Sequence, residues 1–356
     1  MINSISFENF RGFSQLKMDG VQPITLISGM NNVGKSSVLD GLFLFFDHTA
    51  SESFMKLNSF RGFPPLSEPK YLWEPIFYNL DTQKTVMIEI GLPEGVAQLQ
   101  YERDNDYVIP QGGDVPQSVL NQFMTSTQSS YTLKFQYIYN NYKECGHFMA
   151  NTSGLLRKID TSLDGNRIHS LQFIQYINSI IIQNNGDVAA MLGTLELAGK
   201  KEELVKILKL IEPSITDLTM IMTSGGAQLY AKVNGRLLPI KLSGDGLNKL
   251  MFIILVIMAH PGAVILIDEI ETGIHYSAYA DFWKAIAITA LQNNCQVIAT
   301  THSYECIVGA VDGIKQADAS DRFCYFRIDR QDDMTVAYRY SDELLRTAID
   351  ASLEVR

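Results

Sequence analysis

The chain begins with an alternating apolar and polar run in which Ile2, Ile5 and Phe7 mark a strand over residues 2–8. Ile24 to Ser28 is a second, short apolar strand. After a Gly-rich turn, Val38, Leu39, Leu42, Phe43 and Phe46 recur at helical spacing and predict a helix over about residues 35–46. Residues 50–82 are aromatic and carry Pro64, Pro65, Pro69 and Pro75, which predicts irregular structure. From Val86 the period changes to two. Residues 86–90, 97–101 and 131–139 read as strands of an antiparallel insertion that runs to about Phe148, with Gly112-Gly113 in a polar connection. Leu171 to Ile174 is a further short strand.

Residues 187–211 read as helical. Leu204, Ile207, Leu208 and Ile211 form the apolar stripe, Lys200, Lys201, Lys206 and Lys209 a solvated face, and Pro213 the stop. Ile215–Ile221 and Ala227–Val233 form a hairpin around Gly225-Gly226. In the last third, helices (244–259, 276–291, and one from Asp342) alternate with strands (263–267, 296–300, 322–328, 334–340). That alternation predicts an α/β fold with a mostly parallel sheet. Three regions follow: a first lobe over 1–170, a helical lobe with its hairpin over 171–245, and the rest of the core sheet over 246–356.

With 46% hydrophobic and 19% charged residues, 356 residues can bury a sizeable core, and a disordered chain is excluded. The net charge of −10 excludes a wholly basic nucleic-acid coat but not a local basic groove, so nucleic-acid binding stays open. Four cysteines (Cys145, Cys295, Cys306, Cys324) form no C-x-x-C pair and read as free thiols of a reducing cytosol. Residues 1–13 lack the cationic start and apolar run of a signal peptide. The apolar stretch from Leu250 to Ile267 is interrupted by His260-Pro261-Gly262. A membrane span needs roughly 20 uninterrupted apolar residues, so this stretch reads as a buried helix and then a buried strand. The expected location is cytoplasmic, without a membrane.

Two motifs carry chemistry. Gly29-Met30-Asn31-Asn32-Val33-Gly34-Lys35-Ser36 matches G-x-x-x-x-G-K-[ST] between a strand and a helix. The backbone N–H groups from Gly29 through Asn31, Asn32, Val33 and Gly34 to Ser37, with the helix N-terminus, offer positive potential to a phosphate chain. The Lys35 ammonium suits the β- and γ-phosphates and the Ser36 hydroxyl suits Mg²⁺. The uncharged run Ala263 to Ile267 reads as a strand buried on both faces and ends in Asp268-Glu269. Asp268 is a candidate Mg²⁺ ligand, and Glu269 a candidate general base for the attacking water.

Phe10-Arg11-Gly12-Phe13 precedes the loop, Leu242-Ser243-Gly244-Asp245-Gly246 opens the helix before Asp268, and Thr301-His302-Ser303 follows a strand. In this order of motifs the chain resembles the ABC-type ATPase heads of the SMC, RecF and OLD (overcoming lysogenisation defect) group. The resemblance is tightest at residues 1–47 and 240–304 and weak across 50–170. It implies a P-loop NTPase fold of ABC type and hydrolysis of ATP with Mg²⁺. It also implies a dimer or larger homo-oligomer closed around nucleotide.

By the same resemblance, Ser243, Gly244 and Gly246 meet the γ-phosphate held by the opposite subunit. His302 senses that phosphate, Arg11 lies near the nucleotide, and Gln175 ligates Mg²⁺ or the attacking water. Each position has a plainer reading: a helix cap at Ser243, a strand-end charge at Arg11 and a surface glutamine at Gln175. The signature departs from LSGGQ at its last two positions, and His275 stands where transporters usually have aspartate. With 54 residues after His302, the nuclease domain of a complete OLD protein is not expected here. A stand-alone head therefore resembles the ATPase subunits of bacterial anti-phage systems, which act on a separately encoded nuclease or toxin. An ATP-gated scaffold, a DNA-associated repair ATPase and a transporter subunit share the same motifs.

Overall fold

The computed structural model describes the chain except residues 51, 63–69, 105–130, 151–155, 165–172, 179–184, 225, 333 and 352; at 70, 156–164 and 185 it describes the backbone alone. In chain order the elements are β1 (Ser4–Phe10), β2 (Phe13–Asp19), β3 (Ile24–Ser28), α1 (Lys35–Phe46), α2 (Ser53–Phe60), α3 (Lys70–Trp73), β4 (Val86–Leu92), β5 (Gly95–Arg103), β6 (Tyr131–Tyr139), β7 (Tyr142–Ala150), β8 (Leu156–Asp164) and β9 (Ile174–Ile177). There follow α4 (Asn185–Leu197), α5 (Lys201–Leu208), β10 (Ile215–Thr223), β11 (Gly226–Val233), β12 (Arg236–Pro239), α6 (Asp245–Ala259), β13 (Val264–Ile267), α7 (Tyr279–Gln292), β14 (Gln296–Thr300), α8 (Tyr304–Gln316), β15 (Phe323–Gln331), β16 (Met334–Tyr340) and α9 (Asp342–Asp350).

The central sheet has six strands in the order β16-β15-β3-β14-β13-β9. β15, β3, β14, β13 and β9 are mutually parallel, and β16 returns antiparallel beside β15. β3, β13 and β14 are buried throughout, as a sheet covered on both faces requires. Their side chains alternate between two cores. Ile24, Leu26, Ile265, Ile267, Val297 and Ala299 face the cluster built with α6, α7 and α8. Ile27, Val264, Leu266 and Ile298 face the cluster built with α1 and the antiparallel sheet. That second sheet has seven strands in the order β2-β1-β4-β5-β6-β7-β8. Its inner face is largely aromatic, with Phe7, Phe10, Phe13, Tyr101, Phe135 and Phe148 almost fully buried. β10, β11 and β12 make a third, three-stranded sheet. Among the described residues no helix is long and apolar enough to cross a membrane.

The structure departs from the sequence reading in several places, and the antiparallel insertion runs on past Phe148 into β8. Arg11 and Gly12 turn the chain straight back, so that Phe10 pairs with Phe13 and β2 forms a hairpin with β1. The proline-bearing stretch holds α2, which buries Phe54 and Leu57 ahead of the prolines; Pro64, Pro65 and Pro69 lie outside the described residues. The helix expected over 187–211 is two helices, separated at Gly199 in a left-handed turn (φ +67°). β12 adds a short, mostly exposed edge strand to the expected hairpin. Gly112-Gly113 and the start of the strand expected at 171–174 lie outside the described residues.

Candidate active site

The ends of β3, β13 and β14 meet at the carboxyl edge of the parallel sheet, the edge at which open α/β sheets bind ligands. β3 runs into the Gly29–Ser36 loop. Gly29 (φ +144°) and Gly34 (φ +102°) both hold backbone conformations that favour glycine. A Cβ would lie 2.2 Å from the Ile328 carbonyl oxygen at Gly29 and 2.4 Å from the Phe13 ring at Gly34. α1 starts at Lys35 with no side-chain cap and no acidic residue in its first turn, so its leading N–H groups stay available to an anion. Asn31 and Asn32 are exposed; Val33, Gly34, Ser36 and Ser37 are half-buried. The Lys35 Nζ donates to the carbonyl oxygens of Gly29 (2.8 Å) and Met30 (2.9 Å), which folds the ammonium across its own loop. Burial draws its pKa below the ordinary lysine value, against the opposing pull of Glu271, Asp268 and Glu269.

Asp268 follows β13 directly. Its Oδ1 accepts hydrogen bonds from the Ser36 Oγ (2.9 Å) and the Thr300 Oγ1 (2.6 Å). Burial pushes the Asp268 carboxyl upward, and the bonds from Thr300 and Ser36 pull it back only in part. Thr300 also accepts the Glu269 N–H (2.9 Å), so one hydroxyl fixes both acids. Glu269 itself sits at φ +46°, a left-handed conformation that costs a residue with a Cβ on the order of 1–3 kcal/mol. Two residues on, Glu271 is buried, and its Oε1 accepts from both the His302 N–H (2.8 Å) and the His302 Nδ1 (2.8 Å). The half-exposed His302 ring is thereby fixed at the end of β14. The Ser36 hydroxyl and the Asp268 carboxylate are adjacent hard oxygen donors, a set that fits Mg²⁺ completed by phosphate oxygens and water.

Arg11 is committed to Asp40, a buried acid on α1, at 3.0 Å. Arg61 joins the same Asp40 oxygen from the end of α2. The two arginines occupy identical Phe-Arg-Gly-Phe tetrapeptides at 10–13 and 60–63 and converge on one carboxylate. The Tyr176 hydroxyl lies 3.3 Å from the Asp40 Oδ1 and 3.5 Å from the Asp268 Oδ2. It thus connects this cluster to the site. Gln175 does not end a strand as expected. It is the second residue of β9, opposite Ile265. Successive side chains on a strand point to opposite faces, so Tyr176, which reaches Asp268, places its neighbour Gln175 on the other face.

Gly244 (φ +96°) caps α6 without a side-chain hydrogen bond, and the neighbouring Ser243 Oγ is buried with no partner among the described residues. A Cβ on Gly246 would lie 3.4 Å from the Gly273 carbonyl oxygen, so the signature turn is seated on the loop after Glu269. In that loop the His275 Nδ1 bonds Ser277 at 2.9 Å. Asp329 pairs with Arg327, and Asp332 turns the β15–β16 hairpin at φ +52°. Asp333 lies outside the described residues. Among the described residues no three His, Cys, Asp or Glu side chains gather as a metal cluster.

Sequence reasoning missed Thr300, Glu271, Lys249, Asp40, Tyr176 and Arg61. Three carried a signal: Asp40 and Lys249 are charges set inside the apolar runs of their helices, and the second Phe-Arg-Gly-Phe repeats the first.

A glycine-rich phosphate loop after one parallel strand and a half-buried acid after another, with β14 between them, define an α/β P-loop NTPase. The profile of the AAA ATPase domain family matches residues 1–214 and 149–307; the chain belongs to that family and is an ATPase. An ATP/GTP phosphatase of Helicobacter pylori is 28% identical over 370 residues, with 97% of each chain covered. An uncharacterized protein of Methanocaldococcus jannaschii is 44% identical over 54 residues, 15% of this chain and 24% of that one. Among solved structures, an SMC head bound to the C-winged helix domain of ScpA superimposes with a TM-score of 0.54 at 12% identity, over 96% of this chain and 98% of that one. An SMC head with an extended coiled coil, bound to the C-terminal domain of ScpA from Pyrococcus furiosus, gives 0.51 at 10% identity over 99% of each. At these identities the likeness is one of fold.

Proposed function

We propose that this ATPase works as one half of a pair, two heads closing around two ATP molecules. Closure controls a separately encoded effector, a nuclease or toxin, in bacterial defence against phage. In each head Lys35 neutralises the β- and γ-phosphates while the N–H groups of the loop and α1 hold the phosphate chain. Ser36 and Asp268 hold Mg²⁺, which supplies charge neutralisation at the phosphates when bound. Glu269 takes the proton of the attacking water, and removal of such a base typically costs 10²–10⁴ in rate. His302, fixed through Glu271, reads the γ-phosphate.

The observation that carries the paired reading is the N-terminus of α6. Its uncapped N–H groups, led by the exposed Gly244, lack an acceptor despite Asp245 in the first turn, and the unpartnered Ser243 hydroxyl is buried beside them. A γ-phosphate on a facing head supplies that acceptor, and C₂ symmetry makes two such sites at once. The control of a partner rests on resemblance, and the solved SMC heads bound to ScpA domains are in keeping with it. The Helicobacter relative is named an ATP/GTP phosphatase, so GTP is the competing substrate. Ser243→Arg tests the pairing. Bound ATP should stay as in the wild type, measured by calorimetry, while turnover of ATP and GTP falls to background. Wild-type turnover in that variant would contradict the paired reading.

A further inference from the structure

Lys249 is 4% exposed and is the only charged side chain among the buried residues of α6. Its Nζ donates to two main-chain oxygens, those of Glu269 (2.9 Å) and Thr272 (3.2 Å). Desolvating an ammonium is costly, and here the cost is offset by hydrogen bonds to main-chain carbonyls that an apolar side chain would leave without this donor. The ammonium therefore does something that packing alone does not require.

Its two acceptors bracket the turn that leaves β13. Glu269 opens that turn at φ +46°, a conformation that residues with a Cβ hold only where their surroundings enforce it. The Glu269 N–H is fixed by Thr300, and the Glu269 carbonyl by the Lys249 ammonium from outside the turn and by the Thr272 N–H (3.1 Å) from within it. The peptide groups on both sides of the Glu269 Cα are thus pinned, from two different elements. The same turn meets α6 a second time, sterically. A Cβ on Gly273 would lie 3.2 Å from the Asp245 Cβ, and one on Gly246 3.4 Å from the Gly273 carbonyl oxygen. Lys249 stands one helical turn beyond Asp245 and Gly246, so the clamp and the signature residues ride on one rigid segment.

We infer that Lys249 is a positioning residue: it fixes the main chain of Glu269 so that the carboxylate is aimed for proton abstraction, and it ties that aim to the placement of Ser243 and Gly246. The inference rests on the reading of Glu269 as general base. A partner that presses on the signature turn then moves Lys249 and Glu269 together, so pairing and hydrolysis are coupled within each head. Misplacement of a catalytic group by about 1 Å typically costs 10²-fold in rate, so loss of the clamp is felt in the chemical step.

The test is a double-mutant cycle on the full chain with Mg-ATP. Lys249→Met should lower kcat by about 10- to 100-fold while KM for ATP stays within about threefold of wild type. Added to Glu269→Gln, the same change should lower kcat by less than about a further threefold, because the group it positions is already disabled. Lys249→Gln, whose amide reaches one carbonyl, should fall between Met and wild type, and it carries the cycle if Lys249→Met does not fold. A kcat within about threefold of wild type for Lys249→Met, or a double variant whose loss is the product of the two single losses, would overturn the inference. Wild-type turnover in Glu269→Gln would instead remove the general-base reading beneath it.

Discussion

The Ser36 hydroxyl donates to the Asp268 carboxylate at 2.9 Å, joining the phosphate loop to a strand more than half the chain away. Each belongs to a motif visible in the sequence, but only folding makes them neighbours. β3 and β13 are separated in the sheet by β14, whose last residue, Thr300, bonds the same Asp268 oxygen at 2.6 Å. This pair of oxygen donors is therefore assembled by three strands that end at one edge.

Lys35 follows from that geometry as the first residue to test. In Lys35→Ala the loop loses the charge that faces the phosphates and the two bonds to Gly29 and Met30. ATP affinity measured by calorimetry should fall by at least about 100-fold, given that hydrogen bonds to charged groups contribute about 1.5–3 kcal/mol each. Unchanged affinity would remove the phosphate-loop assignment.

Thr300→Val keeps shape but deletes a hydroxyl that donates to Asp268 and accepts from Glu269. The Glu269 N–H then loses its partner, at a cost of about 1–3 kcal/mol. Chemical unfolding should show that loss, together with a higher Mg²⁺ concentration for half-maximal turnover, and Thr300→Ser should restore both. Equal stability of the Val and Ser variants would mean that the hydroxyl is idle.

Asp40 balances two arginines, of which Arg11 is 12% exposed and Arg61 35%. Asp40→Asn leaves the Arg11 charge uncompensated and should destabilise the fold by about 3–5 kcal/mol in urea titration. Arg61→Met, which removes the more solvated partner, should cost clearly less. The reverse order would show that Arg61, not Arg11, carries the pair.

Burial pushes the Lys249 ammonium down to about 8, although Glu271, Cys306, Glu269 and Asp268 around it all act to raise it. The unfolded chain keeps that proton to the ordinary lysine value of 10.5. Between these values the unfolded state binds more protons, so stability rises with pH across the window. The stability of the wild type relative to Lys249→Met should therefore increase by on the order of 3 kcal/mol from pH 8 to pH 10.5. A difference that stays flat over that range would contradict the downward shift of the Lys249 ammonium by burial.

Much of the site was legible in the sequence because its signals are local. Gly29–Ser36 is contiguous, and Asp268-Glu269 closes a run too apolar to be anything but a buried strand. What escaped is long-range. Nothing near Thr300 in sequence marks it as the link between Asp268 and Glu269. The convergence of Arg11 and Arg61 on Asp40 needs β1, α2 and α1 in place. Gln175 was misplaced because its strand begins and ends later than the apolar run around Leu171 suggests, and a shift of one residue exchanges the faces of a strand. α2 was hidden by the prolines and aromatics beside it, although Phe54 and Leu57 are spaced as one helical face.

The most direct test of paired heads is light scattering on Glu269→Gln with Mg-ATP. The amide preserves the shape of the site but cannot take the proton of water, so ATP stays bound and the closed state accumulates. A mass of at least a dimer in Mg-ATP, returning toward the monomer when nucleotide is removed, is the expected result. A monomer in Mg-ATP, with ATP shown to be bound, would contradict the paired mechanism and leave a P-loop ATPase that acts alone.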